Sequence, residues 1–258
     1  GTSFPVGKVD FLDLYPLNFR EFLCAMGEKQ FVSMLDSCDT QMVTVFKTKY
    51  IERLREYYFV GGMPEVVKDF SEKKDYNRVR AIQKNLINYY QQDCSKYIYG
   101  QVREGSRAKD FELAIQWLLD CGLIHKVQRI QKPDLPLKAY IDFDAFKLFL
   151  VDIGLLIAMT DLDAKVIIEG NKIFTEFKGA LTEQYILQQL ISDVGVIPYY
   201  YSTQNSKGEI DFLVQGKTSV IPIEVKAEEN LKAKSLKAFC EKYQPSYAVR
   251  TSMSDYRE

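Results

Sequence analysis

Residues 208–226 leave this chain less freedom than any other stretch: Gly-Glu-Ile-Asp-Phe-Leu-Val, a polar turn over 215–219, then Val-Ile-Pro-Ile-Glu-Val-Lys. Ile210, Phe212 and Val214 alternate with Glu209, Asp211 and Leu213. Ile221, Ile223 and Val225 alternate with Pro222, Glu224 and Lys226. A period of two predicts two strands of a hairpin, because side chains change faces at every residue. Glu224 and Lys226 then share a face, roughly 7 Å apart along the strand. A pairing that brings Asp211 to that face gathers two carboxylates and an ammonium at the sheet surface. Such a set suits Mg²⁺, which takes oxygen ligands from one or two carboxylates and waters, while a lysine beside it orients water or steadies developing charge. The bland reading is a surface hairpin with Glu-x-Lys as a solvated pair.

The flanks sharpen the choice. Residues 177–192 carry Leu181, Tyr185, Ile186, Leu187, Leu190 and Ile191 at helical spacing, with Glu183 toward the start. Residues 198–202 read as a strand, 232–243 as a helix and 247–251 as a last strand. The order is helix, three strands, helix, strand. With Glu183 on the first helix, Asp211 on the second strand and Glu224-Val225-Lys226 on the third, it resembles the PD-(D/E)XK restriction-endonuclease-like fold. The resemblance implies that Asp211 and Glu224 hold Mg²⁺ or Mn²⁺, that Glu183 supports the metal, and that Lys226 positions the attacking water in phosphodiester hydrolysis. Ile210 stands where that motif has its leading proline.

The 258 residues, 47% of them hydrophobic, can bury one large core or two to three small ones, and more than one is expected. Lys plus Arg (34) nearly cancel Asp plus Glu (35), so any attraction to nucleic acid or membrane must be local. Five cysteines, Cys24, Cys38, Cys94, Cys121 and Cys240, lie far apart with no Cys-x-x-Cys, and His125 is the single histidine. That disfavours zinc and disulfide scaffolds and fits a reducing cytoplasm. No apolar run reaches membrane-spanning length, no secretory signal precedes the first residues, and the opening residues read as mid-domain sequence.

Earlier in the chain, residues 9–15 alternate like an edge strand. A helix starts in 16–23 with Asn18 as a candidate cap, and helical periodicity continues with interruptions over 31–58. Gly61-Gly62-Met63-Pro64 breaks it, as a tight turn or as a backbone nest for an anion, with Pro64 suited to a first helical turn. Further helices are expected over 65–70 and 76–90.

Here the resemblance widens. Ser3-Phe4-Pro5-Val6-Gly7-Lys8-Val9, Leu14-Tyr15-Pro16-Leu17, Gly61-Gly62-Met63-Pro64-Glu65, Phe146-Lys147-Leu148 and Val151-Asp152-Ile153-Gly154-Leu155-Leu156 resemble prokaryotic AAA-type ATPases with a C-terminal nuclease-like domain of unknown function. The resemblance implies an α/β multi-domain chain: the end of the ATPase core and a helical lid over 1–96, a winged-helix-like module over 97–144, and over 145–258 an α-β-β-β-α-β domain with a mixed sheet. It also implies a longer connection near Lys96-Tyr97-Ile98, before a strand at 98–101, so residues are expected to be missing there. No Gly-x-x-x-x-Gly-Lys-[Ser/Thr] loop occurs, so ATP is expected to bind only the full-length protein, through its own N-terminal ATPase domain. DNA and a homo-oligomer are the other partners implied; a membrane is not.

Residues 110–121 read as a helix, with Phe111, Ala114, Ile115, Trp117, Leu118 and Cys121 on one face and Gly122 as its stop. Residues 123–130 and 137–141 follow as a two-stranded wing. The helix exposes Asp110, Glu112, Gln116 and Asp120, which repel phosphates, whereas the wing offers Lys126, Arg129, Lys132 and Lys138. The module therefore reads as a spacer or protein contact before a DNA contact. Two functions stay open for the C-terminal part: a metal-dependent deoxyribonuclease governed by the ATPase, or a nuclease-like fold kept for binding and assembly.

Overall fold

Caps and breakers divide the first half of the chain into short helices. The computed structural model describes residues 12–98, 108–169, 172–203, 208–227 and 234–255. They begin with α1 (Phe19–Ala25), α2 (Lys29–Asp36), α3 (Thr40–Val45), α4 (Lys47–Val60), α5 (Pro64–Lys73) and α6 (Tyr76–Ile98). Asn18 caps α1 reciprocally: its side chain accepts from the Glu21 N–H at 2.9 Å and the Glu21 carboxylate accepts from the Asn18 N–H at 2.9 Å. The helical run over 31–58 is cut at Cys38, whose backbone is left-handed (φ 52°), and again at Phe46.

Residues 12–15 form no strand, and Leu12 and Leu14 are exposed. The rest of that expected edge strand lies outside the described residues. The chain instead runs beside the glycine turn, where the Leu17 N–H donates to the Gly62 carbonyl at 2.7 Å. Helix α6 continues through Ile98, so Ile98 ends a helix where a strand was expected to open; 99–101 lie outside the described residues.

The second half comprises α7 (Ala108–Asp120), β1 (Ile124–Ile130), a 3-10 turn (Leu137–Tyr140), β2 (Ile141–Leu150), α8 (Ile153–Met159), α9 (Ala164–Ile168) and α10 (Lys172–Ser192). There follow β3 (Tyr199–Ser202), β4 (Glu209–Gln215), β5 (Val220–Val225), α11 (Lys234–Tyr243) and β6 (Val249–Thr251). The six strands among the described residues form one mixed sheet in the order β2-β1-β3-β4-β5-β6. The expected wing is therefore part of this sheet. β1 pairs antiparallel with β2 and parallel with β3, through Arg129 opposite Tyr200 and Ile130 opposite Tyr201. The second wing strand, expected over 137–141, begins only at Ile141, because 137–140 wind into the 3-10 turn after Pro136. A division at residue 145 falls inside β2, where the ladder with β1 runs on to Leu150.

Side-chain alternation sorts the core onto two faces. Val127, Tyr200, Phe212, Val214, Ile223 and Val225 pack with Leu187 of α10. Ile130, Tyr199, Tyr201, Ile210 and Leu213 pack with Phe239 of α11. A third cluster fills the helical half, with Phe22, Tyr57, Tyr58, Phe59 and Phe70 essentially inaccessible. Burial of each such side chain contributes about 1.5–3 kcal/mol.

The helical half meets the sheet at the Gly61-Gly62 turn. Asp152, fully buried, accepts from the Gly62 N–H at 2.6 Å, from the Leu155 N–H that it caps at 3.0 Å, and from Gln188 of α10 at 3.2 Å. Burial raises the Asp152 carboxyl above its ordinary range, although the Gly62, Leu155 and Gln188 donors pull it back. The anion reading of these glycines thus has an internal answer: a carboxylate of this chain takes the turn's N–H. Gly61 has φ +75°, and a Cβ there would lie 2.2 Å from Asp152 Oδ1; one on Gly154 would lie 2.5 Å from the Val60 carbonyl oxygen. The backbones touch only because both positions lack side chains.

Candidate active site

A bulge at Asp211 decides where the first carboxylate goes. Along β3 and β4, Tyr201 stands opposite Ile210 and Tyr199 opposite Leu213, so Asp211 and Phe212 together face Tyr200. Ile210 and Leu213 consequently share the α11 face, while Phe212 and Val214 face α10. The strict alternation expected for this strand fails at Asp211. Between β4 and β5, Phe212 pairs with Ile223, which sets Asp211 across from Glu224 one step further on. The backbone ladder ends there, and the Val225 N–H donates to Asp211 Oδ2 at 2.6 Å instead.

Burial, with the Glu183 and Glu224 charges behind it, pushes the Asp211 carboxyl up to about 6, although the Val225 N–H and Lys147 favour the ionised form. Glu224 is 4% exposed. Lys226 Nζ lies 2.5 Å from its Oε1, and its buried Oε2 has no hydrogen-bond partner among the described residues. Glu224 lies in β5 and Lys226 just past its end, where the Lys226 N–H donates to the Thr251 carbonyl at 3.0 Å and ties the strand end to β6.

Glu183 is brought to this corner by α10, whose placement is fixed by glutamines. Gln184, 2% exposed, accepts from the Leu150 N–H at 3.0 Å and donates to the Leu150 carbonyl at 2.6 Å. One turn on, Gln188 accepts from the Ile153 N–H at 3.0 Å and donates to the Tyr57 hydroxyl at 2.9 Å. These bonds lock the register of α10 against both β2 and the helical half. Burial raises the Glu183 carboxyl, with the Lys147 charge opposing.

Lys147 of β2 is the member that sequence reasoning left out of the site. Its ammonium lies 3.7 Å from Glu183, touches Glu209, and sits 5.1 Å from the Tyr200 ring centroid. Burial alone would lower it; the bond from Glu209 and the Glu183, Glu209 and Asp211 charges outweigh that and raise it. The signal was present in Phe146-Lys147-Leu148, a lysine amid apolar residues, but only β2's place in the sheet relates it to Glu183.

Asp211, Glu224 and Lys226 therefore meet, with Glu183 within electrostatic reach of Asp211 and Lys226. Among the described residues, no three His, Cys, Asp or Glu side chains gather as a ready metal-binding group. The donors nonetheless suit Mg²⁺ or Mn²⁺. Both are hard cations that bind carboxylate oxygen, and the unpartnered buried oxygen of Glu224 is an acceptor waiting for a cation or donor.

The basic strip of the expected wing is largely engaged within the chain. Arg129 bridges Asp142, Lys132 lies 2.8 Å from Asp134, and Lys126 lies 4.3 Å from the Phe146 ring centroid. His125 sits beside Tyr15, ring centroids 6.3 Å apart, and burial lowers its pKa. The described cysteines, Cys24, Cys38, Cys121 and Cys240, are free. No helix among the described residues is long and apolar enough to cross a membrane.

Residues 178–258 match a family described as a domain of unknown function (DUF4143). Residues 51–98 and 94–166 match a second domain of unknown function (DUF8612), in two pieces that meet where the sequence analysis expects a longer connection. No curated protein and no solved structure matches the chain.

Proposed function

We propose that the C-terminal part of this chain is a metal-dependent DNA phosphodiester hydrolase carried by an AAA-type ATPase. The single observation behind this reading is the convergence of Asp211, Glu224 and Lys226 at the bulged end of the β4–β5 hairpin, with one buried Glu224 oxygen unpartnered. Asp211 and Glu224 would hold Mg²⁺ or Mn²⁺, with Glu183 in support, and the bound ion would supply Lewis-acid stabilisation of the phosphate and a more acidic water. Lys226, pinned by Glu224, presents its remaining ammonium protons to a water or phosphate oxygen. The Val225 N–H fixes one Asp211 oxygen, leaving the other to bind or to accept a proton from water. ATP would act through the N-terminal ATPase domain of the full-length protein, and DNA would be the substrate.

A second reading is a nuclease-like fold kept for binding DNA or protein and for assembly, including homo-oligomers. Lys147 favours it, because its ammonium already engages Glu183 in an ion pair. The test is cleavage of linear, circular and single-stranded DNA by the full-length protein with Mg²⁺ or Mn²⁺, with and without ATP, beside Asp211→Ala and Lys226→Ala. Cutting lost in both variants establishes the hydrolase. No cutting by a folded, ATP-hydrolysing wild type sinks it and leaves the binding module.

A further inference from the structure

A phosphodiester brings its own negative charge to the site, where the ammonium groups are already engaged. Lys226 is paired with Glu224, and Lys147 with Glu183 and Glu209. Arg129, further along the sheet, bridges Asp142. The edge strand brings a further cation beside them. β6 ends the sheet order and runs parallel to β5, with Ile223 opposite Val249, Glu224 opposite Arg250 and Val225 opposite Thr251. In-register neighbours of a parallel pair point to the same side of the sheet, about 4.8 Å apart. Ile223 and Val225 turn toward α10, so Glu224 and Arg250 share the opposite side, where Lys226 meets Glu224. Glu224 is buried, whereas Arg250 is exposed. A guanidinium carries five N–H donors in a planar fork, enough to keep a partner within the chain and still present a pair to a phosphate.

We propose that Arg250 is a substrate contact of this site, its guanidinium gripping a DNA phosphate beside the one that reacts at Asp211, Glu224 and Lys226. Arg250 binds and orients the strand, and no proton or bond passes through it. This rests on DNA being the substrate, as in the reading above, and the experiment separates the contact from the hydrolysis.

Binding of the full-length protein to a labelled linear duplex is followed by fluorescence anisotropy in Ca²⁺, from about 50 to 200 mM salt, and cleavage of the same duplex is measured in Mg²⁺. Arg250→Gln sits at an exposed edge position, where substitution costs little stability. It should remove one phosphate contact: the slope of log K against log salt falls by about 0.9, and affinity drops about eightfold near 0.1 M salt. KM should rise by a similar factor with kcat little changed. Arg250→Lys should recover only part, since a point charge replaces the fork. A wild type that binds DNA, with slope and KM unchanged in Arg250→Gln, overturns the proposal and spares the hydrolase. So does a loss confined to kcat. Binding without cutting, weakened in Arg250→Gln with the smaller slope, keeps the contact and sinks the hydrolase. A wild type that neither binds nor cuts overturns both.

Discussion

Asp211→Asn should stabilise the metal-free protein and, under the proposed function, abolish hydrolysis. The carboxyl, ordinarily near 3.8, is pushed up to about 6 by burial and by Glu183 and Glu224. At roughly 1.36 kcal/mol per tenfold, ionising Asp211 in the folded chain costs up to about 3 kcal/mol relative to the unfolded one. Asparagine keeps an oxygen for the Val225 N–H, now 2.6 Å away, and carries no charge. The sign follows from linkage. A group whose folded pKa is raised contributes stability that is present below the unfolded value and lost as pH rises through the folded one. The advantage of Asp211→Asn should thus be small near pH 4, grow to about pH 6 and stay level above. Urea unfolding in EDTA from pH 4.5 to 8 measures it, and the upper limit corresponds to a rise in Tm of roughly 5–10 °C for a chain of this size. Mn²⁺ should reverse the order, since only the carboxylate gains from ligation. A variant less stable than wild type at pH 8 in EDTA, or a difference that ignores pH, refutes the reasoning.

Other substitutions probe the frame around the site. Gly61→Ala should cost about 3 kcal/mol or more in urea midpoint measurements, because φ +75° and a Cβ 2.2 Å from Asp152 Oδ1 leave it no relaxed position. Lys226→Met should cost about 3–5 kcal/mol at pH 8, by stranding the Glu224 carboxylate in its buried place, with Lys226→Arg recovering most of it. Gln188→Leu should cost about 2–4 kcal/mol, since the Ile153 N–H loses its acceptor and Asp152 a donor; a loss under 0.5 kcal/mol would mean that α10 is not held there.

Local pattern made much of this protein legible. The hairpin of Glu209–Gln215 and Val220–Val225, the Asn18 cap, Pro64 opening its helix and Gly122 closing another follow from neighbours within a few residues. Glu224 and Lys226 followed likewise from strand periodicity, and they form an ion pair, whereas the face that Asp211 takes did not. Two features went unread for one reason. The bulge that turns Ile210 toward Leu213 is imposed by pairing with Tyr199 and Tyr201, which no local period encodes. Lys147 lies where a separate domain was expected to begin, and nothing in 146–148 says that its strand is separated from β4 only by β1 and β3.

The chemical groups that these 258 residues offer are legible in their order alone: Asp211, Glu224 and Lys226 on one hairpin and Glu183 on a helix. Tertiary structure alone decided how they are balanced. It joined β1 and β2 to the later strands, answered the glycine turn with Asp152, and set Lys147 against Glu183. Periodicity fixes which way a side chain faces on its own element, whereas the charge it meets there depends on elements that only packing brings together.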